Sequence, residues 1–181
     1  MEWKKETDFG RYEGFPFKET KFTSNDPAPP FNFVKNPEYQ DLKLLEDILL
    51  DNSKDLFIRY RALFTLRDLN TPDSVIAICQ ALLPSNSSRC SALLKHEVAF
   101  VLAQMEETNQ VGIPYLVECV KNEEEAPIVR HELLVSLGDM VEEKDKAVIE
   151  QFVTHKEQII YESALVGLSY IQNRQFVEVD S

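Results

Sequence analysis

Two His-Glu dipeptides, His96-Glu97 and His131-Glu132, are the residues of this chain whose types and spacing best suit chemistry. They stand 35 residues apart and use two of the three histidines in the chain. Two imidazoles and a carboxylate with open coordination positions form the ligand set that suits dioxygen-activating Fe(II). The third histidine, His155, lies outside this spacing, and we interpret it as a surface residue. The four dipeptide residues are therefore candidate metal ligands.

The two dipeptides belong to an internal repeat. Four segments align without gaps: LFIRYRALFTLRDL from Leu56, ALLKHEVAFVLAQM from Ala92, PIVRHELLVSLGDM from Pro127 and QIIYESALVGLSYI from Gln158. Their starting points are separated by 36, 35 and 31 residues. The fifth position holds Tyr60, His96, His131 and Glu162, and the sixth holds Arg61, Glu97, Glu132 and Ser163. The dipeptides therefore occupy the same register in two neighbouring repeats.

The repeat predicts the fold. A shorter helical segment precedes each copy, at residues 42–50, 73–83, 113–121 and 146–154. A helix pair that repeats every 31–36 residues is typical of an α-solenoid of the HEAT kind, in which neighbouring pairs stack to bury their apolar faces. We therefore expect an all-α domain of about four HEAT-like helical hairpins over residues 36–181, stacked in order from Asp41 to Ile171. One apolar column should be buried between the layers: Leu63, Ala99, Leu134 and Leu165.

Residues 1–35 differ from the rest of the chain. They contain scattered aromatic residues and the stretch Asp26-Pro27-Ala28-Pro29-Pro30, which is forced toward polyproline geometry. These features predict an extended arm or linker. Because so many aromatic residues are unlike a flexible linker, we expect the arm to lie against a surface.

Composition narrows the class of protein. A chain of 181 residues with 44% hydrophobic residues is expected to form one globular domain. No membrane-spanning apolar run and no signal-peptide pattern is present, so no membrane contact is expected. Three scattered cysteines are interpreted as reduced, buried thiols of a cytoplasmic protein: Cys79, Cys90 and Cys119. A net charge of −12 disfavours nucleic-acid binding and favours a cationic partner, although acidic surfaces also serve solubility alone.

Helix geometry sets how the dipeptides can act. Equivalent positions on stacked helices lie roughly 8–10 Å apart, so His96 and His131 can converge on one ion. Adjacent helical residues differ in direction by about 100°, so a glutamate reaches that ion by curling across its helix or by serving the neighbouring repeat. A His-Glu pair can also recur merely by descent and bridge neighbouring helices. The HExxH, GxxxxGK[ST], GxGxxG and GxSxG motifs are absent.

Several segments are similar to deoxyhypusine hydroxylase. They are RYRALFTLR (59–67), ALLKHEVAFVLAQM (92–105), EEAPIVRHE (124–132), and Ile113, Pro114 and Leu116 between the last two. The stretch from Asp26 to Pro30 also resembles the opening of the C-terminal half of that enzyme. The resemblance covers roughly residues 24–171, and paired His-Glu motifs in HEAT helices are specific to the family.

The resemblance implies a longer enzyme of two similar halves, each with two His-Glu motifs. Together the halves hold a diiron centre that activates O₂ and hydroxylates the deoxyhypusine side chain of a translation factor. This chain then corresponds to the C-terminal half of the monooxygenase, with residues 1–35 as the connection to the N-terminal half. The expected partners are that N-terminal half and the translation factor, and the isolated half is expected to be inactive.

The resemblance also implies roles for single residues. His96, His131 and Glu132 resemble the ligands of one iron. Glu97 is the weaker ligand candidate, which serves either the ammonium groups of the substrate or the surroundings of the iron ligands. Two departures affect the surroundings of the iron. The family's LG is Leu102-Ala103 here, and Val135 stands where the family has an acidic residue. The acidic charge suits deoxyhypusine, which is polycationic.

Two other functions compete with this interpretation. One is a non-catalytic HEAT module whose acidic face binds a basic partner. The other is a structural site for a single zinc ion. The paired His-Glu register distinguishes them from the enzyme, because a pure scaffold has no need to keep it.

Overall fold

The structure, a computed structural model, describes residues 28–179, with side chains as far as Arg174. Residues 1–27 of the expected arm lie outside the described range. Within that range there are helices and turns but no strand, so the expected all-α fold is confirmed. Among these residues no helix is long and apolar enough to cross a membrane. The α-helices are α1 (Leu42–Leu50), α2 (Leu56–Leu69), α3 (Pro72–Cys79), α4 (Ala92–Ala103), α5 (Ile113–Lys121), α6 (Pro127–Met140), α7 (Ala147–Glu150) and α8 (Gln158–Val179).

Short 3₁₀ turns complete the connections. They lie at Pro37–Gln40, Gln80–Leu82, Pro84–Asn86, Asn109–Gly112 and Glu143–Asp145. The turn at Gln80–Leu82 extends α3, as the sequence predicted for residues 73–83. By contrast, α7 has four residues, and turns occupy most of the helix predicted at 146–154.

The helices α2, α4, α6 and α8 begin at the first residues of the four sequence repeats. Local signals set these starts. The Asp55 carboxylate accepts a hydrogen bond from the Ile58 amide (2.9 Å), and the Ser91 hydroxyl accepts one from the Leu94 amide (3.2 Å). Pro127 occupies the first turn of α6, where its missing amide hydrogen costs nothing. These starts place His96 and His131 at equivalent positions of α4 and α6.

The helices pair into hairpins that stack in chain order. α4 packs against α2 and α6, and α6 packs against α8. In two hairpins, a buried arginine near the start of the second helix contacts the end of the first helix. Arg59 donates to the Leu49 carbonyl of α1 (2.7 Å), and Arg130 donates to the Val120 carbonyl of α5 (2.9 Å). Each thereby satisfies a carbonyl at a helix end, and the HEAT-like architecture is confirmed.

The predicted core column is confirmed in three of its four members. Leu63, Ala99 and Leu134 are fully buried, but 44% of Leu165 is exposed, so that prediction was wrong. α8 is the last helix among the described residues, and no described helix packs over the face of α8 that carries Leu165. The three cysteines are buried and unpaired, as predicted.

The described part of the arm lies against α2. Ala28 and Phe31 are buried, and the Phe31 amide donates to the Thr65 hydroxyl (2.7 Å). Arg61 donates to the Pro29 carbonyl (3.2 Å), and its guanidinium lies 4.2 Å from the centre of the Phe31 ring. Residues 28–31 therefore pack against α2.

The helices α6 and α8 cross with their backbones in contact at two glycines. A Cβ atom on Gly167 would lie 2.5 Å from the Leu134 carbonyl oxygen, and one on Gly138 would lie 2.5 Å from the Cα of Gly167. Only glycine permits this approach. The crossing brings the first turns of α8 close to His131.

Candidate metal centre

Three of the predicted ligands meet between α4 and α6. The Nε2 atom of His96 lies 3.3 Å from Oε2 of Glu132, and Nε2 of His131 lies 4.0 Å from the same oxygen. The two imidazole ring centres are 6.5 Å apart. Glu132 therefore reaches back to the histidine of the preceding repeat, which is one of the two routes that helix geometry allowed.

Burial shapes the electrostatics of this group. Glu132 is only 8% exposed, and burial raises the pKa of its carboxyl group. The charge of His131 and a hydrogen bond from the Ser136 hydroxyl (3.5 Å) act in the opposite direction. Burial also lowers the pKa of His96. The surroundings thus disfavour both charged forms, and a cation between these side chains would stabilise the Glu132 carboxylate.

The chemical types of the donor atoms suit a metal ion, but one of their separations is too wide for one. With metal–ligand bonds of roughly 2.0–2.2 Å, neighbouring ligand atoms lie about 3 Å apart. The separation of 3.3 Å fits this geometry, whereas 4.0 Å is too wide. Among residues 28–174, no group of three or more His, Cys, Asp and Glu side chains is arranged to hold a metal ion as it stands. The donor set fits iron, but His131 must approach Glu132 by about 1 Å.

Glu97 faces the first layer of the stack. It is half-buried, and its charge acts on Tyr60 of α2. Burial, together with the charge of Glu97, raises the pKa of Tyr60 to about 12. Glu97 and Glu132 thus follow one rule, in which the charge of the sixth-position side chain acts on the fifth-position side chain of the preceding repeat. For Glu132 that neighbour is His96, and for Glu97 it is a tyrosine.

Two groups of residues at or near the site were not predicted. The Ser163 hydroxyl of α8 lies 2.7 Å from Nδ1 of His131, and Ser136 contacts Glu132. Ser163 stood in the sixth-position column, but a serine there gives no sign of metal chemistry. The second group comprises buried cations at the fourth position, namely Arg59, Lys95 and Arg130. Their recurrence in three repeats was a usable signal of structural roles.

Exposed apolar side chains flank the two histidines. Leu93 and Phe100 lie about one turn on either side of His96, and Ile128 lies one turn before His131. All three are exposed, with Leu93 at 59%. Large exposed apolar patches commonly mark interaction surfaces.

A cleft of about 900 Å³ opens beside Glu132. Phe100, Val135 and Ser136 line it, together with residues at the ends of α4 and α6, the segment 141–144 and residues 170–174 of α8. Its acidic residues, Glu106, Glu132, Asp139, Glu142 and Glu143, outnumber its two basic residues, Lys144 and Arg174. Burial raises the pKa of Asp139. The cleft therefore suits a cationic ligand better than an anionic one.

Fold and site together define an α-solenoid of HEAT-like repeats with candidate metal ligands on adjacent second helices. The family model of the PBS lyase HEAT-like repeat matches residues 58–83. The chain is 36% identical to deoxyhypusine hydroxylase of Candida albicans over 159 residues, which cover 88% of this chain and 47% of the relative. It is 41% identical to the Aspergillus niger enzyme over 157 residues, which cover 83% and 44%.

A solved structure gives the same result. Human deoxyhypusine hydroxylase in complex with glycerol superposes with a TM-score of 0.72 and 32% sequence identity, covering 85% of this chain and 49% of the human one. The chain thus spans about half the length of the relatives it matches. Its resemblance to the deoxyhypusine hydroxylase family is confirmed over that half.

Proposed function

We propose that this chain is the C-terminal half of a deoxyhypusine monooxygenase, which hydroxylates the deoxyhypusine side chain of a translation factor with O₂ and a diiron centre. The convergence of His96, His131 and Glu132 on two adjacent layers carries the proposal. It occurs in a chain that is similar to deoxyhypusine hydroxylase over 88% of its length. Bound iron supplies the activation of O₂ for attack on a C–H bond.

Each residue of the site has a distinct task. The Nε2 atoms of His96 and His131 and Oε2 of Glu132 hold one iron. Glu132 supplies the negative charge from a side chain that is itself mostly withdrawn from water. Glu97, the weaker ligand candidate, serves the ammonium groups of the substrate. The net charge of −12 attracts this polycationic side chain.

The N-terminal half of the same enzyme covers the histidine face. The exposed apolar residues Leu93, Phe100 and Ile128 support this arrangement, as does the length of the relatives, of which the chain spans about half. Covering this face excludes water from the reaction. In this proposal residues 1–35 connect the two halves, and residues 36–181 form the HEAT domain. Three protein ligands alone bind iron weakly and exchange it readily.

Calorimetric titration with Fe(II) under argon tests the ligand assignment. His96→Ala and His131→Ala are expected to abolish the Fe(II) binding of the wild-type chain. Both should melt near the wild-type temperature, because their side chains are 29% and 34% exposed and contribute little to the core. His155→Ala is the control and should bind like the wild type. Lost stability with unchanged Fe(II) binding would show that the two histidines serve the scaffold.

A turnover assay tests the division into halves. The chain alone, supplied with Fe(II) and O₂, is expected not to hydroxylate a deoxyhypusine-bearing translation factor. Activity should appear when the N-terminal half of a related deoxyhypusine hydroxylase is added. Turnover by the chain alone would show that one half suffices. A different result is that the translation factor binds the chain without iron and remains unmodified with and without the added N-terminal half. That result would favour an acidic interaction module.

A further inference from the structure

Ser163 links α8 to the candidate metal centre. It is 3% exposed, and its Oγ lies 2.7 Å from Nδ1 of His131. The same hydroxyl makes a short contact with the backbone carbonyl of Ile159, one turn earlier in α8. Ser163 therefore has two hydrogen-bond partners and one proton to share between them.

The protons of this pair can be assigned from chemistry alone. A carbonyl oxygen only accepts hydrogen bonds, so the Ser163 hydroxyl must donate its proton to Ile159. This is the usual backbone bond of a helical serine. The hydroxyl oxygen is then left to accept, and the hydrogen between it and His131 belongs to Nδ1. The neutral imidazole consequently carries its lone pair on Nε2, the atom that faces Glu132.

We infer that Ser163 is a positioning residue that fixes the tautomer and ring orientation of His131, so that Nε2 is ready to coordinate a metal ion. The inference rests on the proposed function, in which His131 is a ligand. Histidine ligands commonly donate their second ring hydrogen to a protein oxygen, and that contact sets which nitrogen binds the metal. The fourth repeat, which has no histidine at its fifth position, thereby contributes to the site through its sixth.

The tautomer is measured in the metal-free wild-type chain. A long-range proton–nitrogen correlation spectrum of the histidine-labelled protein, taken well above the ordinary histidine pKa, distinguishes the two ring nitrogens. His131 should show a protonated Nδ1 and an unprotonated Nε2. The opposite tautomer would overturn the inference whatever the variants do.

Variants of Ser163 test the consequence for binding. Ser163→Ala should shift His131 toward the other tautomer and weaken Fe(II) affinity by about 10–100-fold, the usual effect of removing such a partner. Ser163→Thr keeps the hydroxyl and should restore both the spectrum and the affinity. Ser169→Ala is the matched control, because Ser169 also donates to a carbonyl of α8, that of Val166, and is remote from His131.

The outcomes separate this inference from the proposed function. Wild-type Fe(II) affinity that is retained in Ser163→Ala overturns the role of Ser163 and leaves the ligand assignment intact. A wild-type chain that binds no Fe(II) counts against the proposed function, while its tautomer still tests the Ser163 contact. An equal loss of affinity in Ser163→Ala and Ser169→Ala would assign the effect to the helix and overturn the inference.

Discussion

Replacing Gly167 with alanine is expected to destabilise the chain, although alanine is the better helix former. The new Cβ atom would lie 2.5 Å from the Leu134 carbonyl oxygen, whereas ordinary contact begins at 3.4 Å. The obstructing atom belongs to the backbone and cannot rotate away. Helix propensity favours alanine by about 1 kcal/mol, and overpacking typically costs about 1–3 kcal/mol. We expect a net loss of up to about 2 kcal/mol in the free energy of unfolding.

The same substitution should weaken the candidate metal site. Gly167 lies one turn after Ser163 on α8, so a shift of roughly 1 Å at the crossing also draws Ser163 away from His131. Their hydrogen bond of 2.7 Å would then exceed the usual range. Urea denaturation followed by circular dichroism measures the stability, and Fe(II) titration measures the site. We expect both to decrease together.

Two further variants control this experiment. Gly138→Ala obstructs the same crossing, so its cost should not add fully to that of Gly167→Ala in the double variant. Gly112→Ala meets only side chains, the nearest being Val75 at 3.1 Å, which can shift. Its effect should be smaller. A Gly167→Ala chain at least as stable as the wild type would refute the close crossing of α6 and α8.

Two other predictions concern the core and the buried carboxyl group. Leu134→Ala should lower the free energy of unfolding by about 2–5 kcal/mol, because Leu134 is buried between layers. The equivalent Leu165→Ala should lower it by about 0.5 kcal/mol or less, because Leu165 is exposed. Equal losses in urea denaturation would contradict this. Burial raises the folded-state pKa of Glu132, so the native chain binds this proton more tightly than the unfolded chain, and stability decreases as pH rises from the ordinary glutamate pKa through the folded value. In metal-free thermal melts, Glu132→Gln should therefore be as stable as the wild type below that pH window and more stable above it. A stability difference that does not change with pH would contradict the raised pKa of Glu132.

The sequence predicted the helical framework well because the repeat is ungapped. Four segments of equal length with the same apolar columns leave little freedom in where each second helix begins. The structure has these starts at Leu56, Ala92, Pro127 and Gln158, as the alignment requires. The same register predicted that His96 and His131 can converge on one point from adjacent layers. Periodic information of this kind is sufficient for architecture and for the approximate location of a site.

Other features could not be predicted from the period. An alignment treats every repeat alike, whereas the end of a stack has no covering layer, which is why Leu165 is exposed. The distances of 3.3 and 4.0 Å within the site depend on side-chain rotamers and on the glycine crossing, which no column of the alignment describes. The role of Ser163 required the position of α8 relative to His131.

The register of the stack explains why two His-Glu dipeptides produce one candidate ligand group. Each sixth-position side chain lies beside the fifth-position residue of the layer before it. Glu132 therefore lies next to His96, and Ser163 lies next to His131, whereas the charge of Glu97 acts on Tyr60. Only one carboxylate is in register with a histidine of the preceding layer. The group thus needs three consecutive layers, with one histidine from α4, a histidine and a carboxylate from α6, and an orienting hydroxyl from α8. The two His-Glu dipeptides therefore have different roles, because identical residues in successive layers face different partners.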